Sequence, residues 1–268
     1  MYIKTSVRKP QGNKSPGAPA PKDPNVTIID IDDILHHPVR DSKGVLMQGS
    51  YVMKPNANMI QLYMTPSKIK ATFETEGDED AQSFKHKVEG EHPGNEIEIA
   101  EFVQNWTGRN CIIILGSCAD SYRKVYGSKC APLQLKPSLQ DDNEARKHIL
   151  VFEQAAASGY VPGHYVGELV LEDPTVAPSV ALNITSNTLM QKLPALEETD
   201  DITFASITAE DGSIVTLLGS GGSDPATLSD GGNVLLKGGA NWTALEGAVI
   251  HLQVFGGATP KLIEVSRA

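Results

Sequence analysis

The segment NEIEIAEFVQNW (residues 95–106) and the run CIIIL (residues 111–115) that follows it decide the fold. In the first segment apolar side chains recur at helical spacing and form one stripe, which predicts an amphipathic helix near residues 95–107. The stripe consists of Ile99, Phe102, Val103 and Trp106. The second segment is β-branched and apolar, which predicts a buried strand.

The ends of this helix have their own signals. Asn95 is expected to cap its first turn, and Glu96 and Glu98 suit the positive end of its dipole. Gly108 is expected to stop it. This is the one helix that the sequence indicates clearly, so the remaining segments must supply a mainly β fold.

Strand patterns surround the helix on both sides. The segments VTIIDIDDIL, GVLMQGSYVM and MIQLYMTPSKIKATFETEG precede it, and apolar side chains alternate at Ile60, Leu62 and Met64. After it we favour a strand around His148–Phe152, although a short helix from Asp142 is an alternative reading of the same segment. These patterns predict a β domain over residues 25–172.

Residues 1–24 have a different composition, with five prolines and with basic residues before the first acid at Asp23. Such a segment cannot build a packed core and is expected to be an extended arm, either disordered or ordered on a neighbouring subunit. An acidic stretch from Glu74 to Glu101 offers it a partner, and Glu74–Asp80 of a neighbour is the expected contact. The basic residues of the arm are Lys4, Arg8, Lys9, Lys14 and Lys22.

A second β region is predicted at the C-terminal end. Residues 173–180 carry two prolines, Pro174 and Pro178, and read as a linker. Residues 181–268 are rich in glycine, threonine, serine and valine, and turn signals alternate there with short apolar runs. Short strands at this spacing predict a small all-β sandwich domain.

The net charge, the N-terminal sequence and the cysteine count argue against some classes of function. The chain has 268 residues and a formal net charge of −10, so its general surface is not expected to bind nucleic acid by neutralising phosphates. The N-terminus lacks the apolar core of a signal peptide, and three cysteines at irregular spacing (Cys111, Cys118 and Cys130) form no disulfide framework. We therefore expect assembly inside a cell, in a reducing compartment.

Two clusters carry residue types that support metal or phosphoryl chemistry. The first contains Asp30, Asp32, Asp33, His36 and His37, but the alternating helices that normally support an Asp-x-Asp site are absent from the pattern, so a solvated turn is the favoured reading. The second contains His86, Glu89, Glu91 and His92, whose spacing is not that of a metalloprotease helix. A charged loop is the favoured reading there.

Nucleophile and phosphate motifs are also incomplete. The segment Gly116–Ser117–Cys118 is not a nucleophile elbow, and the glycine-rich Gly219–Asp224 lacks the lysine and the following helix of a phosphate loop. Glycosylation sequons at Asn25, Asn105, Asn183 and Asn241 are read as coincidental without a secretory signal. We predict no catalytic residue, no metal site and no cofactor.

From Met59 to Glu168 the order is an extended hairpin, a charged loop, one amphipathic helix and a buried strand, followed by further strands. This order resembles the tail tube (major tail) proteins of tailed bacteriophages. The end of the chain, LKGGANWTALEGAVIHLQVFGGATPKLIEVSR, is similar in style to the β modules appended to phage tail and capsid proteins. The first resemblance is one of topology and the second covers about a third of the chain.

The resemblance implies a β-sandwich or half-barrel with one flanking helix. It also implies hexameric rings in which the inner sheets join into one barrel, and rings that stack into a tube through which DNA passes without specific binding. The implied partners are further copies of the chain, the tape measure and the tail terminator. The implied location is the virion tail, assembled in the host cytoplasm.

Other readings remain open. The chain is alternatively a capsid decoration, connector or baseplate protein, in which the C-terminal module does the main work. A carbohydrate-binding module would use Trp106 or Trp242 for stacking, although core packing is the favoured role of Trp106. An enzyme would have to be built on Asp30, Asp32 and Asp33.

Overall fold

The computed structural model describes residues 4, 6–10, 15, 17–118, 120, 122–198, 200–257 and 259–268. The chain divides into two compact units, and it passes between them several times. Unit 1 comprises Met1–Asp33, Arg40–Leu46 and Met59–Tyr165. Unit 2 comprises Ile34–Val39, Met47–Asn58 and Val166–Ala268.

The described residues form mainly strands, together with a single α-helix and three short 3-10 turns, which confirms the predicted mainly β class. Strands β1 to β13 are Asn25–Asp30, Ile34–His36, Val39–Arg40, Leu46–Gln48, Val52–Met53, Ile60–Tyr63, Lys70–Glu76, Ser83–Pro93, Asn110–Leu115, Arg123–Tyr126, Leu133–Asp141, Arg146–Gln154 and Gly163–Tyr165. Strands β14 to β22 are Ala181–Ile184, Met190–Lys192, Thr203–Ile207, Ile214–Leu218, Thr227–Leu228, Val234–Leu235, Trp242–Thr243, Val249–Phe255 and Lys261–Arg267. Helix α1 is Ile97–Trp106, and the 3-10 turns are Ile31–Asp33, Pro66–Lys68 and Lys237–Gly239.

Helix α1 follows the predicted stripe, and Ile99, Phe102, Val103 and Trp106 all pack against the core of unit 1. The prediction of Asn95 as its cap is wrong: Glu96 is the N-cap residue and makes no side-chain cap hydrogen bond. Instead, Asn95 Oδ1 accepts a hydrogen bond from His148 Nε2 at 3.0 Å, because the preceding turn directs this side chain towards β12. The helix ends at Thr107, and Gly108 follows with a φ of 83°.

Strand β9 is the centre of unit 1. One of its edges pairs with β1, and its other edge pairs with β10 and β11, all antiparallel. The long ladder β11-β12-β8-β7 continues from β11, and β6 pairs with β1. Just after β6, the N–H of Thr65 donates to the carbonyl of Glu91 in β8 at 2.9 Å. Strands from both sides of β9 therefore contribute to one core.

That core is apolar and dense. The predicted strand Cys111–Leu115 is buried along its whole length, and the strand reading of His148–Phe152 is confirmed by β12. Burial raises the pKa of the Cys111 thiol to about 12, so this cysteine is a packing residue and not a nucleophile. The buried core residues are Val26, Ile28, Leu62, Met64, Ile69, Val88, Ile99, Cys111, Ile113, Leu115, Tyr126, Leu133, Leu135, Leu150 and Phe152.

Unit 2 has an apolar core of its own, and several of its strands pair in parallel. Met190 aligns with Thr216, Leu196 with Gly222 and Asp201 with Thr227, so the partners lie 26 residues apart each time (216 − 190, 222 − 196 and 227 − 201). Parallel pairing requires a crossover between partners, so these segments wind past one another and are not successive hairpins.

The compact units have different bounds from the predicted domains. Residues 34–39 and 47–58, which the sequence placed in the first domain, belong to unit 2. The predicted linker 173–180 also lies within unit 2, where Ala177 and Val180 are buried in the core and Ala177 N–H donates to Lys192 O. Its prolines therefore mark an ordered connection.

The predicted N-terminal arm is ordered at its end. Cys118 N–H donates to Pro21 O at 3.2 Å, and Asp23 N–H donates to Gly116 O at 3.1 Å. Residues 21–23 therefore pair antiparallel with residues 116–118, just beyond β9 of the same chain. Lys4, Arg8 and Lys9 are exposed. Lys14 and Pro16, which belong to the same prediction, lie outside the described residues.

Candidate assembly surface

The ladder β11-β12-β8-β7 is the end of a longer sheet that continues from β11 into β9, and its four antiparallel strands have two different faces. Alternate residues of β8 and β12 are buried, including His86, Val88, Leu150 and Phe152, and this face covers the core of unit 1. The side chains between them point the other way. The strand alternation that the sequence carries thus produces one apolar face and one charged face.

Rows of paired residues build the charged face. In one row, Lys136 lies opposite Val151, Val151 opposite Glu89, and Glu89 opposite Lys70. In the next row, Gln134 lies opposite Glu153, Glu153 opposite Lys87, and Lys87 opposite Thr72. The charged side chains on this face are Lys70, Lys85, Lys87, Lys136 and Lys147, with Glu74, Glu76, Glu89, Glu91 and Glu153.

All five lysines form ion pairs within the face. Lys70 and Lys87 bind Glu89 at 3.2 and 2.9 Å, and Lys147 binds Glu91 at 3.0 Å. Lys85 and Lys136 bind Glu153 at 3.5 and 3.1 Å, and Lys85 also lies 3.8 Å from Glu76. With five cations and five anions, the face as a whole is electrically neutral.

These contacts perturb the titration of the two central carboxyls. A hydrogen bond from Lys87, then one from Lys70, holds the pKa of Glu89 below its ordinary value. A hydrogen bond from Lys136 does the same to the pKa of Glu153. Both carboxylates therefore stay ionised, and the ion pairs persist, at every pH near neutrality.

Two stretches of these four strands are paired on one side only, among the described residues. Strand β7 ends the strand order, and six of its seven residues are exposed, among them Phe73 with 47% of its surface accessible. At the opposite edge, β11 pairs with β9 only at Leu133 and Gln134. Among the residues that the structure describes, Lys136–Asp141 pair on one side only, with β12. Pro137 lies in this segment, and proline is tolerated at such an edge because it has no N–H to donate.

Two tight turns end the ladder. Beyond β7, the turn at Gly77 has a φ of 111° and carries the exposed acids Asp78, Glu79 and Asp80. Beyond β11, Asp142 Oδ1 accepts hydrogen bonds from the backbone N–H groups of Glu144 and Ala145. The acids of this stretch that lie on the sheet are therefore balanced by lysines, whereas the turn that carries Asp78, Glu79 and Asp80 keeps its negative charge.

The aspartate cluster of the sequence is not one site. Asp30 is buried and forms an ion pair with Arg109 at 2.9 Å, and its other oxygen accepts the N–H of Asp32. Arg109 also donates from Nε to Asn105 O, so it joins the end of α1 to β1. His36 and His37 belong to unit 2, where His36 Nε2 contacts Gly247 O.

The charged-loop reading of the second cluster is wrong, because its four residues lie in strand β8 and the strand alternation separates them. His86 and His92 lie on the core side of β8, whereas Glu89 and Glu91 lie on the charged face. His86 is fully buried: its Nδ1 accepts the N–H of Gly127, and its Nε2 donates to Tyr160 O. Within the described ranges, three or more potential metal ligands do not gather anywhere.

The remaining motifs have structural roles. Ser117 and Cys118 lie beside Pro21, and Gly219 and Gly222 pack against backbone atoms of neighbouring segments. Trp242 is buried in the core of unit 2, where its ring is not accessible for sugar stacking. The sequence patterns did not indicate a cavity of about 500 Å³ in unit 2, lined by apolar residues and by two side chains of each charge. Those charged side chains are Lys54, Lys192, Asp173 and Glu246.

No protein-family model, no curated protein and no solved structure matches the chain. In the part of the chain that the structure describes, none of the helical segments has the length and apolar character needed to cross a bilayer.

Proposed function

We propose that this chain is a structural subunit of a tailed bacteriophage, and that stacked rings of it form the tail tube through which DNA passes. The four strands β11-β12-β8-β7 are the observation that carries the proposal. One of their faces covers a core and the other is charged and partly exposed, while β7 ends the strand order and the outer half of β11 pairs on one side only in the described residues.

Open edges favour association of copies. An edge strand presents backbone N–H and C=O groups that can pair with another strand, and a ring converts this pairing into a closed set of contacts. In the proposed ring, β7 of one copy pairs with the outer half of β11 of the next, at residues 138–141, beyond Pro137. The two edges belong to the same sheet, so repeating this contact extends the sheet and can close it into a barrel.

The charged face would then line the channel. Its side chains are hydrophilic, which suits a water-filled channel, and each of its lysines is already bound by a glutamate. Such a lining offers few unpaired cations to the phosphates of DNA, so it favours passage of DNA over binding.

Electron microscopy of the purified full chain tests the proposal, and rings or hollow tubes are the expected result. The discriminating variant is Phe73→Lys, which places a charge on the open edge of β7 and should leave the fold intact, because the side chain is half exposed. Its control is Phe255→Lys in unit 2, since Phe255 has the same 47% exposure. Rings from wild type and Phe255→Lys, with Phe73→Lys monomeric, would support the proposal.

Wild-type chain that stays monomeric at high concentration, or Phe73→Lys that forms rings as well as wild type does, would contradict it.

Deletion of residues 175–268 is not a suitable test. It would remove Leu218 and Val249, which pack on Val52 in unit 2, and would expose the remaining apolar surface.

A further inference from the structure

Two glutamates hold most of the cations on the charged face. Glu89 uses Oε1 for Lys70 and Oε2 for Lys87, and Glu153 uses Oε1 for Lys85 and Oε2 for Lys136. Each carboxylate therefore binds two lysines, one with each oxygen. Both glutamate side chains are about a quarter exposed, whereas those of Lys70 and Lys136 are 72% and 65% exposed.

The lysines without these partners would form a different surface. These four lysines project from β7, β8 and β11, and Lys147 projects from β12 on the same face, so the five lysines lie within reach of a single extended polyanion. Replacing both glutamates by glutamine leaves five lysines and three acids, so the charge of the face changes from zero to +2. Lysines grouped in this way bind phosphate backbones by releasing the counterions of the nucleic acid.

We propose that Glu89 and Glu153 are specificity residues that keep the lysine-bearing face of this sheet from binding nucleic acid. The lysines stabilise the sheet through cross-strand pairs, and the two glutamates prevent the same lysines from acting as a phosphate site. The inference rests on the proposed function in one respect: the polyanion is taken to be the DNA that passes through the tube.

The test measures binding of a short fluorescent DNA duplex to the full chain at low salt. Wild type is expected to bind weakly or not at all, and Glu89→Gln/Glu153→Gln is expected to bind at least roughly tenfold more tightly. The gain should disappear as salt rises, with a slope of log K against log salt of about −3 to −4 if four lysines are released.

Two control variants test whether the gain in DNA binding comes from the lysines of the charged face and not from the change in the net charge of the chain. Glu98→Gln/Glu101→Gln changes the net charge by the same amount, from −10 to −8, at exposed positions of α1. It should not bind DNA. Adding Lys70→Gln and Lys136→Gln to the first variant leaves three lysines and three acids on the face, and should remove the gain. Thermal unfolding of each variant verifies that it is folded.

Wild type or the α1 control binding DNA as tightly as Glu89→Gln/Glu153→Gln, or a folded Glu89→Gln/Glu153→Gln variant without any gain, would each overturn the inference. Micrographs of the same samples keep the two proposals apart. Rings without a gain in binding contradict only the role of the glutamates, whereas a gain in binding without rings contradicts only the tube.

Discussion

Arg267 and Glu264 form an ion pair at the end of the last strand of unit 2, in which the carboxylate is buried and the guanidinium is partly exposed. Arg267 Nε donates to Glu264 Oε1 at 2.7 Å, and its Nη2 binds the other carboxylate oxygen. The guanidinium also donates to the carbonyls of Asn241 and Ala240, and Glu264 accepts the N–H of Lys237. Two side chains thereby fix residues 237–241 to β22.

Arg267→Ala is expected to destabilise unit 2 strongly. It leaves the carboxylate of Glu264, whose side chain is 1% exposed, without its charge partner, and loss of one member of a buried pair costs about 3–5 kcal/mol. Arg146→Ala is the control, because Arg146 and Asp141 are both largely exposed and such a pair contributes about 0–1 kcal/mol. Urea unfolding measures both changes, and equal losses would contradict the burial argument.

Gly222→Ala is expected to destabilise the parallel segments of unit 2. Gly222 has a φ of 111°, and a Cβ placed there would lie 2.1 Å from the carbonyl oxygen of Leu196. The backbone fixes the position of the Cβ, and the oxygen is itself a backbone atom, so neither can rotate away, and the strain and the contact together should cost about 3 kcal/mol or more.

Gly159→Ala is the matched control for this substitution, because a Cβ at Gly159 meets nothing within 4 Å. Its effect on the free energy of unfolding should stay within about 1 kcal/mol. Denaturant unfolding of the two variants beside wild type provides the comparison. A Gly222→Ala protein as stable as Gly159→Ala would mean that Leu196 does not pack as described.

Local patterns in the sequence predicted much of this fold, because a helix stripe and a strand alternation depend only on neighbouring residues. The apolar positions of α1, the burial of Cys111–Leu115 and the strand around His148–Phe152 follow from such patterns, whereas the segment read as a charged loop is strand β8. Local patterns could not predict which side chains of other strands would lie beside each charged side chain.

The candidate surface depends on such distant partners. Glu91 looked like part of an acidic stretch, but Lys147 binds it from 56 residues away. Asp30 was assigned to a solvated turn, but it is buried and forms an ion pair with Arg109, 79 residues away. Register between strands decides these contacts, and one sequence does not carry enough information to fix it. The alternation of Lys85, Lys87, Glu89 and Glu91 at every second position of β8 was the one signal in the sequence.

The stability of unit 2 is expected to fall with acid through His251. Burial lowers the pKa of His251 from 6.5 to about 4, and a charge on the nearby His36 acts in the same direction. The ring is 4% exposed, its Nδ1 contacts Thr216 Oγ1 at 3.0 Å, and Gly49 packs directly against it.

The lowered pKa of His251 makes the folded and the unfolded chain bind different numbers of protons in mild acid. Between pH 6.5 and about 4 the unfolded chain carries a proton on His251 that the folded chain does not, so acid favours unfolding across that window. The shift corresponds to about 3 kcal/mol, present above pH 6.5 and lost as the pH falls to about 4. Unfolding free energies measured across this range should vary less with pH in His251→Gln than in wild type. His92→Gln should keep the wild-type slope, and an unchanged slope in His251→Gln would contradict the prediction.

His86→Leu is expected to destabilise unit 1, because it removes two hydrogen bonds in which one ring nitrogen accepts and the other donates. The imidazole accepts the N–H of Gly127 at 3.1 Å and donates to Tyr160 O at 2.9 Å, so it connects β8 to two loops. Leucine fills a similar volume but leaves both backbone groups without this partner, at about 1–3 kcal/mol for each group that stays buried. His164→Leu is the control, because that ring lies partly exposed and stacks on Tyr122. Hydrogen exchange at Gly127 N–H gives a local readout: it should accelerate in His86→Leu and stay slow in His164→Leu, and unchanged protection in His86→Leu would show that the imidazole is not what holds this amide.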